Sequence, residues 1–225
     1  MNDMKPFTYP DPPSEQAFPI ARPGYPYIFA AAFITAVFAL LKLTAPALLF
    51  LLVTLFICWF FRDPDRLVPG EDNAVVSPAD GKIIKAEMVT DSPYFEGTGL
   101  KISIFMNIFN VHVNRFPYTG TVKKICYHPG KFLSANLDKA SAENEHNAVY
   151  IEMENNRPLC VVQIAGLVAR RIICQVKEND RLEKGQRFGL ICFGSRLDVY
   201  LPEDAQPAVR IGDKVQAGST IIARL

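Results

Sequence analysis

The chain has 225 residues, enough for one domain and an additional segment. Its 24 Lys and Arg residues nearly balance its 23 Asp and Glu residues, so there is no overall electrostatic argument for nucleic acid as a partner. The five cysteines form no C-x-x-C pair, and only three histidines are present. This usage favours reduced core thiols over a disulfide framework and argues against a zinc site.

A long apolar segment follows the polar, proline-rich residues 1–22. Residues 23–41 and residues 43–61 each provide 19 uncharged positions, close to the ~20 residues that cross a hydrocarbon core. Lys42 and the sequence Thr44-Ala45-Pro46 separate the two runs, and proline favours the start of a new helix. The pattern predicts a helical hairpin in the membrane over residues 23–61.

Positive charges flank this hairpin and predict its orientation. Arg22 precedes the hairpin, and Arg62 and Arg66 follow it, which favours a cell-membrane protein whose two hairpin ends and following domain are cytoplasmic. A signal peptide cleaved near Leu43–Ala47 fits less well, because a second apolar run follows at once and the first 22 residues are not a basic region. The sequence leaves open whether the hairpin spans the bilayer or dips into one leaflet.

Residues 62–225 have the composition of a mainly β domain within an α+β chain. Short runs rich in Val, Ile and Phe alternate with glycine and proline. The predicted strands are Gly81–Val89, Lys101–Met106, Gly120–Tyr127, Ala148–Glu154, Leu159–Gly166, Ile172–Val176, Phe188–Phe193, Arg196–Leu201 and Thr220–Leu225. One short helix is predicted around Ser134–Ser141.

An internal repeat indicates how this domain is built. Residues 180–185 (Asp-Arg-Leu-Glu-Lys-Gly) recur 33 positions later as residues 213–218 (Asp-Lys-Val-Gln-Ala-Gly), and an apolar run follows each copy. These turns resemble the half-motifs of biotinyl and lipoyl domains, whose strands form a flattened barrel. The resemblance implies a compact β domain like the barrel-sandwich hybrid, with both copies as turns of one domain, because two copies are too few for a solenoid.

Three short motifs carry candidate chemistry. They are residues 77–81 (Ser-Pro-Ala-Asp-Gly), residues 110–115 (Asn-Val-His-Val-Asn-Arg) and residues 193–195 (Phe-Gly-Ser). A serine directly after a glycine can turn its hydroxyl towards the preceding carbonyl, because glycine tolerates strained backbone conformations. Taken alone, Gly194-Ser195 is better interpreted as a β-bulge or a tight bend.

In this order, behind an apolar segment, the motifs resemble the short form of phosphatidylserine decarboxylase, a pyruvoyl-dependent membrane enzyme family. The resemblance covers roughly residues 20–225. It implies that Ser195 attacks the carbonyl of Gly194, that the chain is cut between these residues into a β chain (1–194) and an α chain (195–225), and that Ser195 becomes a covalent pyruvoyl group. That cofactor would form a Schiff base with the substrate amine and accept electrons as carbon dioxide leaves, converting phosphatidylserine to phosphatidylethanolamine.

The resemblance also suggests which residues assist Ser195. His112 is the candidate base and proton donor, because its ordinary pKa near 6.5 suits both roles, and Asp80 is the candidate that orients it. Longer relatives have a second histidine where this sequence has Arg115. Either His112 serves both self-cleavage and decarboxylation, or another group takes one of these roles, and we assign both to His112.

Basic residues near the motifs are the candidates for binding the lipid phosphodiester. They are Arg115, Lys131 and Arg196, and Arg170 and Arg171 could instead meet anionic headgroups. For each of these residues a solvated surface charge is an equally good interpretation. His128 and His146 stand in loop-like segments and are predicted to lie at the surface or at a pocket edge.

Two other functions remain open at this point. One is self-processing with another serine-headed lipid as substrate, such as archaetidylserine. The other is a non-enzymatic membrane adaptor with a biotinyl- or lipoyl-like domain, although neither Lys184 nor Lys214 follows a methionine, as the lysine of biotin carriers does. The sequence does not determine whether the chain forms a homo-oligomer.

Overall fold

A computed structural model describes residues 7–11, 18–90, 92, 94, 97–137, 140–167, 171–192 and 194–225. The chain divides into two units, one made of residues 14–65 and the other of residues 1–13 and 66–225. The first unit is helical and the second is built from β-sheets. The prediction of a mainly β fold preceded by a helical hairpin is therefore confirmed.

The helical unit is an antiparallel hairpin. A 3-10 turn over Arg22–Gly24 leads into α1 (Tyr25–Leu40), and α2 (Thr44–Phe60) returns along it. The connection is residues 41–43, with Lys42 at a positive φ of 58°, and Pro46 lies inside the first turn of α2 rather than between the helices. That position suits proline, because a backbone N–H in the first turn has no intrahelical partner.

The first helical stretch, Arg22–Leu40, is long and apolar enough to cross a membrane, and Thr44–Phe60 is a shorter apolar helix. Most of their large apolar side chains are exposed within the structure, as at Phe29, Phe33 and Leu40. Glycine at position 24 allows close contact between the hairpin ends, because a Cβ there would lie 2.5 Å from Cγ of Phe61.

The β unit contains sixteen strands among its described residues, most of them short. They are β1 (Phe7–Thr8), β2 (Val68–Pro69), β3 (Ala74–Val76), β4 (Gly81–Val89), β5 (Gly99–Met106), β6 (Val113–Arg115), β7 (Gly120–His128), β8 (His146–Met153), β9 (Pro158–Ile164), β10 (Ile172–Cys174), β11 (Arg181–Leu182), β12 (Arg187–Ile191), β13 (Ser195–Pro202), β14 (Gln206–Pro207), β15 (Lys214–Val215) and β16 (Ile221–Arg224). The predicted strand Gly81–Val89 has the ends of β4, and the other eight predicted strands are present with shifted ends. Phe193, the predicted end of one of them, lies outside the described residues.

The eight strands of the main sheet have the order β11-β7-β8-β9-β13-β5-β4-β15, and all neighbours are antiparallel. The order is nearly symmetric about the central β9–β13 pair, since each half runs from a long inner strand to a two-residue edge strand. Ser195 is the first residue of β13 and therefore lies at one end of a central strand of this sheet.

The internal repeat of the sequence forms the two edges of the sheet. Leu182 in β11 pairs with Gly120 at the start of β7, and Val215 in β15 pairs with Gly81 at the start of β4. Both copies end in a glycine with positive φ, 88° at Gly185 and 75° at Gly218. The two turns therefore belong to one compact β domain, as predicted.

Two three-stranded sheets, β10-β12-β6 and β14-β16-β3, and the two-stranded sheet β1-β2 complete the unit. One face of the main sheet supplies the largest apolar core cluster, which includes Ile104, Met106, Val161, Leu197 and Val199. The opposite face carries a smaller cluster around Val162 and Tyr200.

The helix predicted around Ser134–Ser141 is wrong in position and length. The structure has a single four-residue turn, α3 (Ala140–Glu143), and Ser134–Leu137 are not helical. The side chain of Ser134 donates to the side chain of Asn136 at 2.7 Å, a local bond that competes with helix formation. Residues 138–139 lie outside the described residues.

Candidate active site

The Gly194-Ser195 junction lies at the entry to the central strand β13. Gly194 has φ of +69°, a left-handed conformation that glycine adopts without the steric cost that other residues meet. Ser195 is fully buried and pairs with Met106, the last residue of β5. A left-handed turn thus leads directly into a strand, and the peptide bond between them is the one that the sequence resemblance predicts to be cleaved.

Gly166 lies against the carbonyl of this peptide bond. A Cβ atom placed on Gly166 would be 2.2 Å from the carbonyl oxygen of Gly194 and 3.2 Å from its carbonyl carbon. Any other residue at position 166 would therefore displace the carbonyl that Ser195 is predicted to attack. Sequence reasoning missed this residue, although a glycine at the end of a predicted apolar strand is a signal of close backbone approach.

The hydroxyl of Ser195 points into the core. It donates to Sδ of Met106 at 3.4 Å. A thioether sulfur is a weak acceptor, so this bond holds the hydroxyl loosely compared with a bond to an oxygen.

His112 presents one ring nitrogen to the junction. Its Nδ1 lies 2.9 Å from the carbonyl oxygen of Asn110, which can only accept, so Nδ1 carries the proton. Its Nε2 then has a lone pair and accepts from the backbone N–H of Gly194 at 3.4 Å. The imidazole is fully buried, and this hydrogen-bond pattern is that of the neutral ring. His112 is therefore a candidate base, and it contacts Gly194, the residue directly before the candidate nucleophile Ser195.

The structure places the carbonyl of Asn110 against Nδ1 of His112, while the role of Asp80 in orienting His112 stays a prediction. Both carboxylate oxygens of Asp80 accept from Nη2 of Arg66, at 3.0 and 2.8 Å. One of them also accepts from the backbone N–H of Ala217 at 2.8 Å. Asp80 thus fixes the turn at residues 77–81 by an ion pair and a backbone bond, while a backbone carbonyl holds Nδ1 of His112.

Arg115 is buried and engaged within the β unit. Its Nη1 donates to the carbonyl of Gly185 at 2.9 Å and lies 3.6 Å from a carboxylate oxygen of Asp11. Its backbone N–H donates to the carbonyl of Pro78 at 2.9 Å, which joins two of the three sequence motifs. These contacts make Arg115 a support for the region around His112.

Arg196 is also buried, on the sheet face opposite to the side chain of Ser195. Its Nε donates to Asp198 at 2.6 Å, and its Nη2 donates to Ser103 at 2.8 Å. Lys101 lies 3.2 Å from the same Asp198 carboxylate. This ionic cluster fixes β13 against β5, so Arg196 does not lie where an entering lipid phosphate could reach it directly.

Lys131 is the most accessible of the three predicted phosphate ligands. Its Nζ lies 3.0 Å from Glu143, and both side chains are largely exposed, so the pair holds the ammonium group weakly. Arg171 has an exposed side chain, and its carbonyl accepts from the N–H of Cys192 at 3.1 Å. Arg170 lies outside the described residues.

His128 and His146 do not lie in loops. They face each other across β7 and β8, and their rings stack with centroids 4.7 Å apart. Nδ1 of His146 bonds the carbonyl of Asn144 at 2.7 Å. The strands begin or end at these residues, so the local sequence rich in polar residues was misleading.

A chain of three buried amides ends at Asn114, two residues after His112 in sequence, and was also missed. Asn147 donates to Gln163 at 3.0 Å, and Gln163 donates to Oδ1 of Asn114 at 2.9 Å. Nδ2 of Asn114 is buried and has no hydrogen-bond partner among the residues that the structure describes. Since an unpaired buried donor costs about 1–3 kcal/mol, Asn114 is well suited to bind an acceptor on a bound molecule.

The arrangement defines a β-domain protein whose reactive groups converge on a Gly-Ser bond of its own backbone. A family model for phosphatidylserine decarboxylase matches residues 53–223. A phosphatidylserine decarboxylase proenzyme of Ralstonia nicotianae is 50% identical over 218 residues, which cover 97% of this chain and 98% of that protein.

Two further relatives carry the same name. The protein of Cupriavidus metallidurans is 52% identical over 210 residues, covering 92% of this chain and 95% of its own. That of Desulfotalea psychrophila is 49% identical over 207 residues, covering 92% and 97%. The chain belongs to the phosphatidylserine decarboxylase family.

Proposed function

We propose that this protein is made as a proenzyme, cuts itself between Gly194 and Ser195, and decarboxylates phosphatidylserine to phosphatidylethanolamine. Family membership over nearly the whole chain supports the reaction. The observation that carries the mechanism is the junction itself, where a glycine with φ of +69° precedes a buried serine and the neutral His112 contacts the glycine N–H.

Self-cleavage begins with the hydroxyl of Ser195. Rotation about its Cα–Cβ bond turns Oγ from Met106 towards the carbonyl carbon of Gly194, and the weak sulfur contact opposes this little. Oγ loses its proton and forms a bond to that carbon, the amide C–N bond breaks, and the proton ends on the freed nitrogen. The product is an ester that joins Gly194 to the side chain of Ser195.

The second stage removes the Ser195 α-proton. The electron pair forms a Cα–Cβ double bond while the ester C–O bond breaks, which releases Gly194 as a carboxylate. Addition of one water to the resulting dehydroalanine expels ammonia and leaves a pyruvoyl group at residue 195. His112 is the base proposed for both proton removals, because its Nε2 lone pair already faces the junction.

The residues present fit a pyruvoyl group at this position. The group has one heavy atom fewer than the serine residue that it replaces, so the buried space around Ser195 accommodates it without rearrangement. The pairing of Arg196 with Phe105 and with Ile164 holds the new chain end in the sheet after cleavage. When formed, the group supplies a carbonyl that binds the substrate amine and accepts the electrons released with carbon dioxide.

His112 is also the proposed proton donor of the decarboxylation. It is fully buried beside the junction, so proton transfer takes place away from bulk water. Lys131 is the proposed contact for the lipid phosphodiester, since its ammonium group is exposed and only weakly paired.

The helical hairpin is proposed to anchor the enzyme in the cell membrane with its β domain on the cytoplasmic side. Arg22 and Arg62 flank the hairpin, and the Arg62 guanidinium lies 4.1 Å from the centre of the Trp59 ring. A Trp–Arg pair of this kind suits the headgroup region, where aromatic rings and cations are both favoured.

Intact-mass measurement of the purified protein tests the proposal. We expect two chains, residues 1–194 with an ordinary carboxyl end and residues 195–225 with a pyruvoyl end, and one intact chain from Ser195→Ala. Mature protein that decarboxylates phosphatidylserine while retaining an unmodified Ser195 would overturn the mechanism. Processed protein that acts on no serine-headed lipid would overturn the reaction and leave self-cleavage standing.

A further inference from the structure

Three buried carboxamide side chains form a chain of hydrogen bonds, and the reaction steps proposed above use none of them. Nδ2 of Asn147 donates to Oε1 of Gln163 at 3.0 Å, and Nε2 of Gln163 donates to Oδ1 of Asn114 at 2.9 Å. Asn147 also forms a hydrogen bond with the thiol of Cys174. The donors therefore point in one direction, and the chain ends at the NH2 group of Asn114.

This NH2 group is buried and has no acceptor. Asn114 is 0% exposed, and its Nδ2 has no hydrogen-bond partner among the residues that the structure describes. Because a buried donor without an acceptor costs free energy, native proteins rarely keep one without a functional reason. The position of Asn114 relative to Ser195 indicates what that reason is.

The amide chain lies on the same face of the main sheet as the side chain of Ser195. Gln163 in β9 pairs with Leu197, two residues after Ser195 in β13. Alternate residues of a strand share a face, and so do residues directly opposite each other on neighbouring strands. Gln163 is therefore a diagonal neighbour of Ser195, at about 7–8 Å between Cα atoms.

Asn114 approaches this face from another sheet. It lies in β6, which pairs with β12 and not with the main sheet, and it stands two residues after His112. His112 contacts Gly194, and Asn114 contacts Gln163, so two alternate side chains of one segment meet the main sheet. The open N–H of Asn114 thus lies two residues along from the imidazole, a spacing of roughly 7 Å.

The serine headgroup carries an acceptor that can reach this donor. Its carboxylate is bonded to the same carbon as the reacting amine, so a carboxylate oxygen lies about 4 Å from the carbon of residue 195 with which the amine condenses. A hydrogen bond adds about 2.9 Å, which brings a donor roughly 7 Å away within range. The phosphodiester is further from the amine and continues to the acyl chains, so it suits a buried donor less well.

We propose that Nδ2 of Asn114 donates to the carboxylate of the serine headgroup and so distinguishes phosphatidylserine from amine lipids that lack a carboxylate. The inference rests on the proposed function, because condensation of the amine at residue 195 is what brings the carboxylate to this place. The bond from Gln163 fixes the orientation of the donor. Asn114 is thereby assigned to substrate recognition and not to self-cleavage.

Reductive trapping measures this recognition without relying on turnover. Condensation of a lipid amine with the ketone of residue 195 releases one water and forms a C=N bond. Hydride from cyanoborohydride and one proton convert that bond into a stable secondary amine, which intact mass detects on the 195–225 chain. From initial rates of total adduct formation, we expect the wild-type enzyme to reach half-saturation at a lower concentration of monomeric short-chain phosphatidylserine than of short-chain phosphatidylethanolamine.

Asn114→Leu and Gln163→Met form a matched pair of variants. Both lose the hydrogen bond between residues 114 and 163, but only Asn114→Leu loses the open N–H. For Asn114→Leu we expect the half-saturating concentration of phosphatidylserine to rise at least about tenfold, the effect of one hydrogen bond to a charged group. The value for phosphatidylethanolamine should not change, and Gln163→Met should keep the preference for phosphatidylserine.

Three outcomes would overturn the inference. They are equal losses in the two variants, an equal rise for both lipids in Asn114→Leu, which would indicate a phosphodiester contact, and equal half-saturation for the two lipids in the wild-type enzyme. The wild-type comparison decides alone if neither variant matures. A wild-type protein that gives no adduct with either lipid would refute the proposed function instead, whereas adducts without a preference refute only the role of Asn114.

Discussion

The Nε2 atom of His112 lies 3.4 Å from the backbone nitrogen of Gly194, while the hydroxyl of Ser195 donates to Sδ of Met106. His112, the proposed base, and Ser195, the proposed nucleophile, therefore both lie at the Gly194-Ser195 junction. His112 contacts the N–H of Gly194, and the Ser195 hydroxyl contacts Met106; neither contact is the one that the proposed reaction requires. In the proposed mechanism, a side-chain rotation at Ser195 and a small shift of the imidazole precede the attack on the carbonyl of Gly194.

His112→Gln should slow self-cleavage by at least about 100-fold, because removing a positioned general base typically costs a factor of this size. Time-resolved gel analysis of newly made protein measures the rate. His128→Gln is the matched control, since His128 is exposed and stacks on His146 away from the bonds that hold His112. Normal maturation of His112→Gln would remove this residue from the mechanism.

Gly166→Ala should also block maturation, for a geometric reason. The added Cβ would meet the carbonyl oxygen of Gly194, and a displacement of about 1 Å at a reacting group can cost about 100-fold in rate. Because the defect precedes ester formation, hydroxylamine, which cleaves esters, should leave the chain intact. An ester that accumulates and is cut by hydroxylamine would show that Gly166 does not position the attacked carbonyl.

Gly120→Ala provides the control for that substitution. A Cβ there would lie 2.5 Å from the carbonyl oxygen of Glu152, a comparable backbone collision. Gly120 pairs with Met153, at the end of β8 opposite to His146 and remote from the Ser195 end of the sheet. We expect a lower melting temperature in both variants but a maturation defect in Gly166→Ala alone.

Asp198→Ala should destabilise the protein strongly. Asp198 and its partner Arg196 are almost completely buried, and Lys101 shares the same carboxylate. Removing the acid leaves two buried cations uncompensated, so we expect the free energy of unfolding to fall by about 3–5 kcal/mol in chemical denaturation.

An exposed ion pair gives the comparison for Asp198. Asp204 pairs with Arg157 at the surface, and Asp204→Ala should lower the free energy of unfolding by less than about 1 kcal/mol. A similar small effect for Asp198→Ala would show that the buried cluster around Arg196 is not a structural element.

Cys192 predicts a loss of stability at alkaline pH. Burial raises the pKa of its thiol from an ordinary value near 9 to about 11, although the nearby Arg171 opposes the shift. Between these two values the unfolded chain releases the proton and the folded chain keeps it, so the free energy of unfolding falls as pH rises.

Urea unfolding in detergent at about pH 8 and about pH 10 measures this dependence. Cys192→Ala should show a smaller decrease between the two conditions than the wild-type chain does. An equal decrease in both would contradict the assignment to Cys192, because the other titrating groups are common to the two proteins.

The sequence predicted the elements whose hydrogen bonds and hydrophobic contacts are local or regular. Two uncharged runs predicted α1 and α2, since a helix satisfies its backbone groups within its own segment. The strands followed from runs of β-branched and aromatic residues, and the repeated turns at residues 180–185 and 213–218 followed from their glycines. The short helix was placed wrongly because local side-chain bonds at Ser134 outweigh helix propensity.

The partner of His112 shows why the site was only partly predictable. Asp80 was chosen because a carboxylate is the familiar partner of a catalytic imidazole, but its oxygens are taken by Arg66 and by the N–H of Ala217. The contact that the structure shows for Nδ1 of His112 is a backbone carbonyl, that of Asn110. Every residue has a backbone carbonyl, so residue identity alone cannot indicate which carbonyl the imidazole contacts.

By itself, the amino-acid sequence determined a membrane-type hairpin, a β domain and a Gly-Ser bond placed between two apolar runs. Only the tertiary structure decided that Met106, Gly166 and His112 meet at that bond, because strand pairing over long sequence separations brings them together. It also decided that Arg115 and Arg196 are buried and paired. Charge is visible in a sequence, but the burial and the partners of that charge arise when the sheet closes around it.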